Sequence, residues 1–256
     1  MPEPPNLRSR ARGSASNVPA SEAPVEIVRG SRAAKVFLTC EHASQTLPSA
    51  WRWPASDLRL VDTHWAYDLG ARDLTLELAR TLDASAVLAR FTRLLADPNR
   101  DEGHHEVFRS LADGAPVQLN AQLDEADKQR RIAGYHRPYH AAVDAELSAV
   151  DAPLLFSIHS FTPVYQGQPR EVELGVLFNR DEADALALGA ALALHFPKVA
   201  FNEPWSGRAG LIYSAERHAG KHGRLALELE VRQDRAVDPV YRAELVRVLA
   251  GFFSSR

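Results

Sequence analysis

The sequence predicts a single α/β domain with a central, mostly parallel or mixed sheet that is flanked by helices. Short, continuous apolar runs of strand length alternate with longer segments in which apolar residues recur at helical spacing. Such runs are typical of strands buried on both faces, and helices between them favour parallel connections. The length of 256 residues fits one such domain, and hydrophobic and charged shares of 45% and 25% are those of a globular protein.

Six apolar runs are predicted as strands, over residues 36–40, 86–91, 154–158, 172–178, 199–201 and 225–231. Four helices are predicted, over residues 57–83, 124–150, 181–195 and 238–253. The segment 92–122 is polar and irregular, which is typical of a functional excursion, and a glycine-rich loop region is expected at 202–224. Residues 1–26 are rich in Pro, Ser, Ala and Arg, so we expect a disordered tail before one folded domain over residues 27–256.

Charge, hydropathy and cysteine content argue against several classes of protein. The 30 Lys and Arg against 33 Asp and Glu give a net charge of −3, without the basic excess that nucleic-acid binding needs. No run approaches the roughly 18 apolar residues of a membrane span. The single cysteine, Cys40, cannot form an internal disulfide, which favours a reducing, cytoplasmic location. With ten histidines to one cysteine, a transition-metal site would use imidazole and carboxylate ligands, as hydrolytic sites do.

Polar side chains follow or end several predicted strands, at the sheet edge where α/β proteins bind their ligands. These residues are Glu41 and His42 after the first strand, Asp97, Asn99 and Arg100 after the second, His159, Ser160 and Thr162 after the third, and Glu228, Glu230 and Arg232 in the last. The two-residue period of a strand places Glu228 and Glu230 on one face. Either could serve as a general base if a polar cleft raises its pKa, and the sequence pattern does not separate them.

Three histidines are candidates for chemistry. His159 follows a buried strand, where an imidazole is costly unless it is paired or metal-bound, and His42 lies at a strand end. His64 and Asp68 are four residues apart near the start of a predicted helix and would share one face. That spacing suits two metal ligands, one ligand with its orienting carboxylate, or an exposed ion pair. Six other histidines are expected to be solvated in loops or on helix surfaces: His104, His105, His136, His195, His218 and His222.

Six short motifs occur in one order along the chain: CEHAS, HWAYDLGA, RLLADPNR, RPYH, IHSFTP and LELEVRQD. In this combination the sequence resembles the N-formylglutamate amidohydrolase family over residues 35–252. The resemblance implies a catalytic domain over residues 27–256 with a fold similar to that of zinc exopeptidases. It also implies zinc-dependent hydrolysis of an N-acyl amide, most of all of N-formyl-L-glutamate to formate and L-glutamate, within histidine degradation.

The resemblance implies a metal site and a general base. His42 and His159 resemble the metal-binding histidines, and the pair His64 and Asp68 would supply the remaining ligand of a zinc ion that also holds a water molecule. Glu230 resembles the general base, which would take a proton from that water and deliver it to the leaving amine.

The resemblance also implies a substrate-binding set. Arg93, Asn99 and Arg100 resemble the residues that bind the substrate carboxylates, and the forked guanidinium of an arginine suits that task. The partner is then a small acyl-amino acid, with neither nucleic acid nor membrane involved. A further motif of the family contains three residues without an assigned role: Arg131, Tyr139 and His140.

One departure concerns the third metal ligand. Zinc exopeptidases usually carry a compact His-x-x-Glu pair, whereas Gln45 stands three residues after His42. The third ligand would then come from Glu41, His64 or Asp68. Two alternative functions are a zinc hydrolase for another acyl-amino acid or a small peptide, and a metal-binding relative without activity. Cys40 is expected to end a buried strand and not to act as a nucleophile.

Overall fold

The computed structural model describes residues 23–255. Most of the expected tail, residues 1–22, lies outside the described residues, and the last two residues assigned to it, Val25 and Glu26, belong to the first strand. No helix among residues 23–255 is both long and apolar enough to cross a membrane.

The strands of the described chain are β1 (Val25–Val28), β2 (Val36–Cys40), β3 (Ala86–Ala89), β4 (Leu111–Ala112), β5 (Ala115–Pro116), β6 (Leu154–Phe161), β7 (Val164–Tyr165), β8 (Gln168–Pro169), β9 (Leu174–Leu177), β10 (Val199–Phe201) and β11 (Leu225–Arg232). The α-helices are α1 (Ala71–Leu82), α2 (Glu125–Arg131), α3 (Arg137–Ser148), α4 (Glu182–Ala193), α5 (Tyr213–His222), α6 (Gln233–Ala236) and α7 (Pro239–Ser254). Three short 3₁₀ helices and one π-helical turn complete the list: Ala55–Leu60, Gln118–Asn120, Gly207–Ala209 and Ile132–His136.

Seven strands form one central sheet in the order β1-β3-β2-β6-β11-β9-β10. Neighbouring strands are parallel except β1 with β3 and β11 with β9. Two separate hairpins, β4–β5 and β7–β8, lie outside this sheet. The predicted fold class, a single α/β domain with a mostly parallel mixed sheet between helices, is confirmed.

Helices cover both faces of the sheet. Helices α1, α4 and α7 pack on one face, in a core that contains Leu38, Phe156 and Leu229. Helices α3 and α5 pack on the other face, over Phe37 and Leu155. The central strands are therefore buried on both sides, which explains why they are continuous apolar runs in the sequence.

The face under α3 and α5 changes from apolar to polar toward the carboxyl ends of three adjacent strands. On this face, β2 and the residue that follows it carry Phe37, Thr39 and Glu41. Strand β6 carries Leu155, Ser157 and His159, and strand β11 carries Ala226, Glu228 and Glu230. The parallel register of β6 and β11 places Glu230 beside His159. The sheet thus gathers ionisable side chains from separate parts of the sequence at one edge.

The helix predicted over residues 57–83 is wrong in its first half. Turns occupy 61–70, and α1 begins only at Ala71. Gly70 has a φ of 81°, which lies outside the helical region, so a helix cannot run through this point. A Cβ at this position would lie 2.5 Å from the main chain of Ala236, so glycine is required there. The main-chain N–H of Asp68 donates to the carbonyl of His42 at 2.9 Å. His64 and Asp68 therefore do not share a helix face.

Helix α5 and strand β1 were also not predicted. Helix α5 lies in the segment expected to be a glycine-rich loop, because its buried residues are small or polar and form no apolar stripe: Ser214, Ala215, His218 and Ala219. The edge strand β1 is short and only partly buried, and it begins inside the segment assigned to the tail. The helical spacing predicted over 124–150 corresponds to α2 and α3, which are joined by the π-helical turn that contains Gly134.

A chain of buried imidazoles joins α3 to α5. Nδ1 of His140 lies 2.8 Å from Nε2 of His218, whose Nδ1 lies 2.8 Å from a carboxylate oxygen of Asp144. Burial lowers the pKa of both rings, so both are neutral near pH 7. Because an ionised carboxylate only accepts hydrogen bonds, neutral His218 then donates through Nδ1 and accepts from His140 through Nε2. The expectation that His136 and His218 are solvated is wrong, since they are 1% and 0% exposed. His218 lies between α5 and α3, and Nε2 of His136 lies 2.9 Å from the carbonyl of Arg100.

The contribution of these histidines to stability should fall as pH drops below about 6.5, because they are buried in the neutral form. Burial lowers the pKa of His136 and His218, and it lowers the pKa of His140 to about 2. Below the unfolded pKa of about 6.5, the unfolded chain binds protons that the folded chain does not. Each such histidine then removes up to about 1.4 kcal/mol per pH unit from the free energy of unfolding. The pKa values of His159, Glu228 and Glu230 are raised and act in the opposite direction over the range from about pH 7.5 to about pH 5.5. The histidine contribution is therefore measured as the difference in urea midpoint between the wild type and a variant.

His218→Gln tests the source of this dependence, because glutamine can donate to Asp144 and accept from His140 without titrating. As pH falls from about 7.5 to about 5.5, the urea midpoint of the wild type should fall relative to that of this variant. His195→Gln, at an exposed histidine, should keep the wild-type slope. A slope in His218→Gln that equals the wild-type slope would contradict the assignment.

Candidate active site

A cavity of about 350 Å³ opens at the carboxyl ends of β2, β6 and β11. Its walls come from the polar ends of β6 and β11, the turns at 61–70, the excursion at 92–122 and the region of the β7–β8 hairpin. The volume lies at the small end of the range of about 300–1,000 Å³ that ligand pockets span. The cavity therefore fits a molecule of amino-acid size.

Three of the predicted metal ligands meet in this cavity: His42, Asp68 and His159. One ligand atom from each lies within 4.8 Å of the others, and all three side chains are buried. Oδ2 of Asp68 lies 3.4 Å from Nδ1 of His42 and 2.8 Å from Nδ1 of His159. The arrangement offers two imidazole nitrogens and one carboxylate oxygen, a donor set that zinc takes in catalytic sites.

Asp97 holds His42 from behind. Oδ1 of Asp97 lies 2.7 Å from Nε2 of His42. Burial opposes ionisation of Asp97, but the charges of Arg93 and His42 keep its pKa well below the ordinary range, so this carboxylate only accepts. Nε2 of His42 is therefore occupied by the hydrogen bond to Asp97, and Nδ1 is the nitrogen that remains to bind a metal ion. That Nδ1 is buried without a hydrogen-bond partner among the described residues, which is typical of a ligating histidine backed by a carboxylate.

Glu41 holds His159 from behind in a similar way. Nε2 of His159 lies 3.1 Å from Oε2 of Glu41, which also accepts from the hydroxyl of Ser157 at 2.6 Å. The hydroxyl of Tyr139 donates to Oε1 of Glu41 at 2.9 Å. Burial opposes ionisation of Glu41, but the hydrogen bonds from His159 and Ser157 keep its pKa well below the ordinary range. Tyr139, from the RPYH motif, thus acts through Glu41 on the position of His159.

Glu228 and Glu230 both line the cavity. Oε2 of each is buried without a hydrogen-bond partner within residues 23–255, and Oε2 of Glu228 lies 3.6 Å from Nε2 of His159. Burial raises the pKa of Glu228 to about 7. Burial, together with the charge of Glu228, raises the pKa of Glu230 well above its ordinary range, although His159 acts in the opposite direction. Carboxylates with raised pKa values are suited to accept and return protons near neutral pH.

His159 is surrounded by the buried carboxylates of Glu41, Asp68 and Glu228. Burial disfavours the imidazolium form of His159, but the surrounding carboxylates, above all Glu228, raise the pKa of His159 well above its ordinary range. The proton held there occupies a lone pair for which a metal ion would compete. The donor set, the unpaired Nδ1 of His42 and the carboxylates around His159 therefore fit a divalent cation.

His64 lies on the cavity wall but outside the group of metal-ligand atoms. Its ring packs at a tilt against Trp65, with 4.6 Å between the centroids. Burial and the charge of Arg93 lower the pKa of His64. Of the three alternatives for a third ligand, the structure brings Asp68 together with the two histidines and leaves His64 and Glu41 outside that group.

All three predicted substrate-binding residues have protein partners. Arg93 donates to Asp97 from Nε and Nη2, at 3.1 and 2.7 Å, and its Nη1 lies 3.6 Å from Asp68. The side-chain oxygen of Asn99 accepts from the main-chain N–H of Ser214 at 3.0 Å. Asn99 thereby ties the 92–122 excursion to α5, and Arg93 balances the charge of two buried carboxylates.

Arg100 is the third predicted substrate-binding residue, and it lines the cavity. Its Nη1 donates to the carbonyl of Asn99 at 2.8 Å, and its Nε lies 3.8 Å from Glu106. Several other cavity residues come from turns and loops and were not indicated by the sequence pattern: Trp65, Arg109, Tyr165, Arg170 and Trp205. None of them lies at the end of a predicted strand, so the strand-end pattern that identified the other site residues could not identify these.

Arg131 is buried outside the cavity, where its side chain connects two segments of the chain. Its guanidinium donates to the side-chain oxygen of Asn120 at 2.7 Å and to the carbonyl of Leu119 at 3.0 Å, and it lies 2.9 Å from Asp127. It therefore fixes the end of the excursion to α2. Cys40 is fully buried, and burial raises the pKa of its thiol well above the ordinary range. A thiol in that state agrees with the expectation that Cys40 is not a nucleophile.

Comparison with known proteins gives a family and a structural relative. The sequence model of the N-formylglutamate amidohydrolase family (FGase) matches residues 34–236. No curated protein matches the sequence. The crystal structure of gene product Atu2144 from Agrobacterium tumefaciens is similar, with a TM-score of 0.84 and 28% sequence identity. The match covers 92% of this chain and 95% of that chain, so the fold is shared over nearly the whole of both.

More distant structures are also similar to this chain. A metallo-carboxypeptidase from Burkholderia cenocepacia matches with a TM-score of 0.43 and 12% identity, over 90% of this chain and 61% of that chain. The N-acetylmuramoyl-L-alanine amidase AmiC2 of Nostoc punctiforme matches with a TM-score of 0.41 and 11% identity, over 88% and 97% of the two chains.

Proposed function

The chain belongs to the N-formylglutamate amidohydrolase family, and on this basis we propose that it is a zinc-dependent hydrolase of N-acylated amino acids. The proposed substrate is N-formyl-L-glutamate, which hydrolysis converts to formate and L-glutamate. The observation that carries the proposal is the meeting of His42, Asp68 and His159 with the carboxylates of Glu228 and Glu230 in one cavity.

His42, Asp68 and His159 would hold the metal ion. Two imidazole nitrogens and one carboxylate oxygen suit zinc, and they leave a position for water and substrate. Asp97 and Glu41 hold the two imidazoles from behind, which fixes ring orientation before the metal binds. Bound zinc supplies Lewis acidity, which polarises the acyl carbonyl and lowers the pKa of water to about 7.

Glu230 is the proposed general base. It accepts a proton from the attacking water and returns a proton to the amide nitrogen as the carbon–nitrogen bond breaks. Its raised pKa lets the protonated form persist long enough to act as an acid at neutral pH. Glu228, two residues earlier on the same strand face, keeps that pKa high through its own charge. Arg100, with Arg93 and Asn99 beside it on the cavity wall, is proposed to bind a substrate carboxylate.

The proposal places the enzyme in a reducing, cytoplasmic compartment, with a small acyl-amino acid as its partner. Cys40 is the single cysteine of the sequence and is buried as a free thiol. A protein without a disulfide is stable in such a compartment.

Metal content and a substrate panel test the proposed function. Full-length protein loaded with zinc should release formate from N-formyl-L-glutamate faster than it cleaves the N-acetyl or N-succinyl analogue. His159→Ala should lose zinc and lower kcat/KM by more than about 100-fold, because removing a ligand costs more than removing the group behind it. His195→Ala, at an exposed histidine outside the cavity, should keep both. Unchanged zinc content and activity in His159→Ala would refute the site, and a preference for another acyl group would refute the substrate.

The pH dependence of kcat/KM distinguishes the two cavity glutamates. Glu230→Gln should lower kcat/KM by about 10²- to 10⁴-fold, the usual contribution of a general base. Glu228→Gln should retain activity, with the acidic limb of the profile displaced to lower pH by about 1 unit or more, because a neighbouring negative charge no longer raises the pKa of Glu230. If Glu228→Gln is the inactive variant and Glu230→Gln shows the displaced limb, the two roles are reversed.

A further inference from the structure

The arginines that line the cavity differ in whether a nearby carboxylate balances their charge. Arg93 at the cavity floor is paired with Asp97. Arg109 lies 3.2 Å from Glu106. Arg170 also lines the cavity, yet no carboxylate of residues 23–255 lies within 4.0 Å of its guanidinium. A cation on a cavity wall without an acidic neighbour is available to an acidic ligand.

Aromatic rings hold the guanidinium of Arg170 in a fixed place. Its central carbon lies 4.6 Å from the ring centre of Tyr165, 4.9 Å from that of Trp205 and 5.5 Å from that of Phe161. These rings come from the end of β6, the β7–β8 hairpin and the loop after β10, and two of them, Tyr165 and Trp205, also pack edge to face. Stacking on aromatic faces orients a guanidinium and leaves the edge of its fork free for hydrogen bonds.

Hydrogen bonds of its main chain and side chain also fix the position of Arg170. Its N–H donates to the carbonyl of Pro163 at 2.8 Å, and its own carbonyl accepts from Nη1 of Arg232 at 3.0 Å. Nη1 of Arg170 donates to the carbonyl and hydroxyl of Thr162 at 3.4 and 3.3 Å. Nε and Nη2 have no hydrogen-bond partner in the described part of the chain. The guanidinium of Arg170 is therefore held in a fixed orientation, and its Nε and Nη2 donors remain available for a ligand.

Arg170 lies nearer the mouth of the cavity than Arg93 does. Arg93 touches the metal-ligand candidate Asp68, whereas Arg170 directly follows the exposed hairpin β7–β8, in which Val164 is 51% exposed. The amide bond of an acyl-amino acid must reach the metal-ligand group, so the side chain of that amino acid extends away from it. A carboxylate at the end of that side chain is then the group that meets Arg170.

We propose that Arg170 is the residue that binds the side-chain carboxylate of the substrate and distinguishes this carboxylate from an uncharged amide. The inference rests on the proposed function, because it takes the acyl-amide bond to lie at the metal-ligand group. Arg170 is in this account a specificity-determining residue, and Arg100 remains the residue for the α-carboxylate, which stays close to the amide bond.

The experiment compares N-formyl-L-glutamate with N-formyl-L-glutamine, which has the same shape without the side-chain charge. Both are assayed for hydrolysis and for binding by calorimetry, with wild type, Arg170→Met, Arg170→Lys and the control Arg208→Met. Arg208 also stacks on an aromatic ring, 5.1 Å from the centre of Phe178, but it lies outside the cavity.

Wild type should prefer the glutamate derivative, and Arg170→Met should reduce that preference by about 10- to 100-fold, the worth of hydrogen bonds to a charged group. The loss should fall on KM and on affinity for the glutamate derivative, with the glutamine derivative unchanged. Arg170→Lys should recover part of the preference, because it keeps the charge but not the fork. Arg208→Met should match the wild type.

A preference that survives in Arg170→Met would overturn the inference, and so would an equal loss on both substrates, which indicates a structural role for the stacked arginine. Wild type that binds the two compounds equally well also overturns it. Wild type that binds the glutamate derivative through Arg170 but hydrolyses neither compound would support this inference and refute the proposed function.

Discussion

The concentration of buried carboxylates at one edge of the sheet is the constraint on which the rest of the structure depends. Five lie there: Glu41, Asp68, Asp97, Glu228 and Glu230. An ionised carboxylate removed from water costs several kcal/mol unless charges and hydrogen bonds compensate it. Histidines, hydroxyls and Arg93 compensate the first three, whose pKa values are lowered. Compensation is incomplete for Glu228 and Glu230, whose pKa values are raised by burial, and in our proposal a divalent cation completes it.

The rest of the fold fixes the positions of these carboxylates and of the histidines beside them. Parallel strands β2, β6 and β11 bring residues that are distant in the sequence into register at one edge. Tyr139 reaches from α3 to Glu41, and Asn99 links the excursion to α5. The imidazole chain between α3 and α5 fixes the two helices that cover this face. A site built on strands and supported from behind keeps its geometry without a ligand, which is the condition for fast chemistry once the substrate arrives.

The sequence predicted the sheet and the strand-end residues, because apolar runs and their polar ends are local patterns. It placed His42, His159 and the two cavity glutamates at one edge, and the structure brings them together there. It could not choose Asp68 over His64, since the chain between them turns where a helix was expected. Helix α5 was missed because small and polar residues fill its buried face, and its buried histidine was taken as solvated for that reason. The cavity residues of the β7–β8 region depend on contacts between distant loops, which no local pattern contains.

Calorimetric titration of zinc into chelator-treated, full-length protein tests the central claim most directly. Run near pH 7 in buffers of different ionisation enthalpy, it measures zinc stoichiometry and proton release together. The account predicts about one zinc per chain and release of about one proton or more, because the metal displaces a proton from the lone pair of His159 and lowers the pKa of Glu228 and Glu230. Saturable binding without proton release, or no saturable binding, would contradict the claim that these buried carboxylates are arranged around a cation.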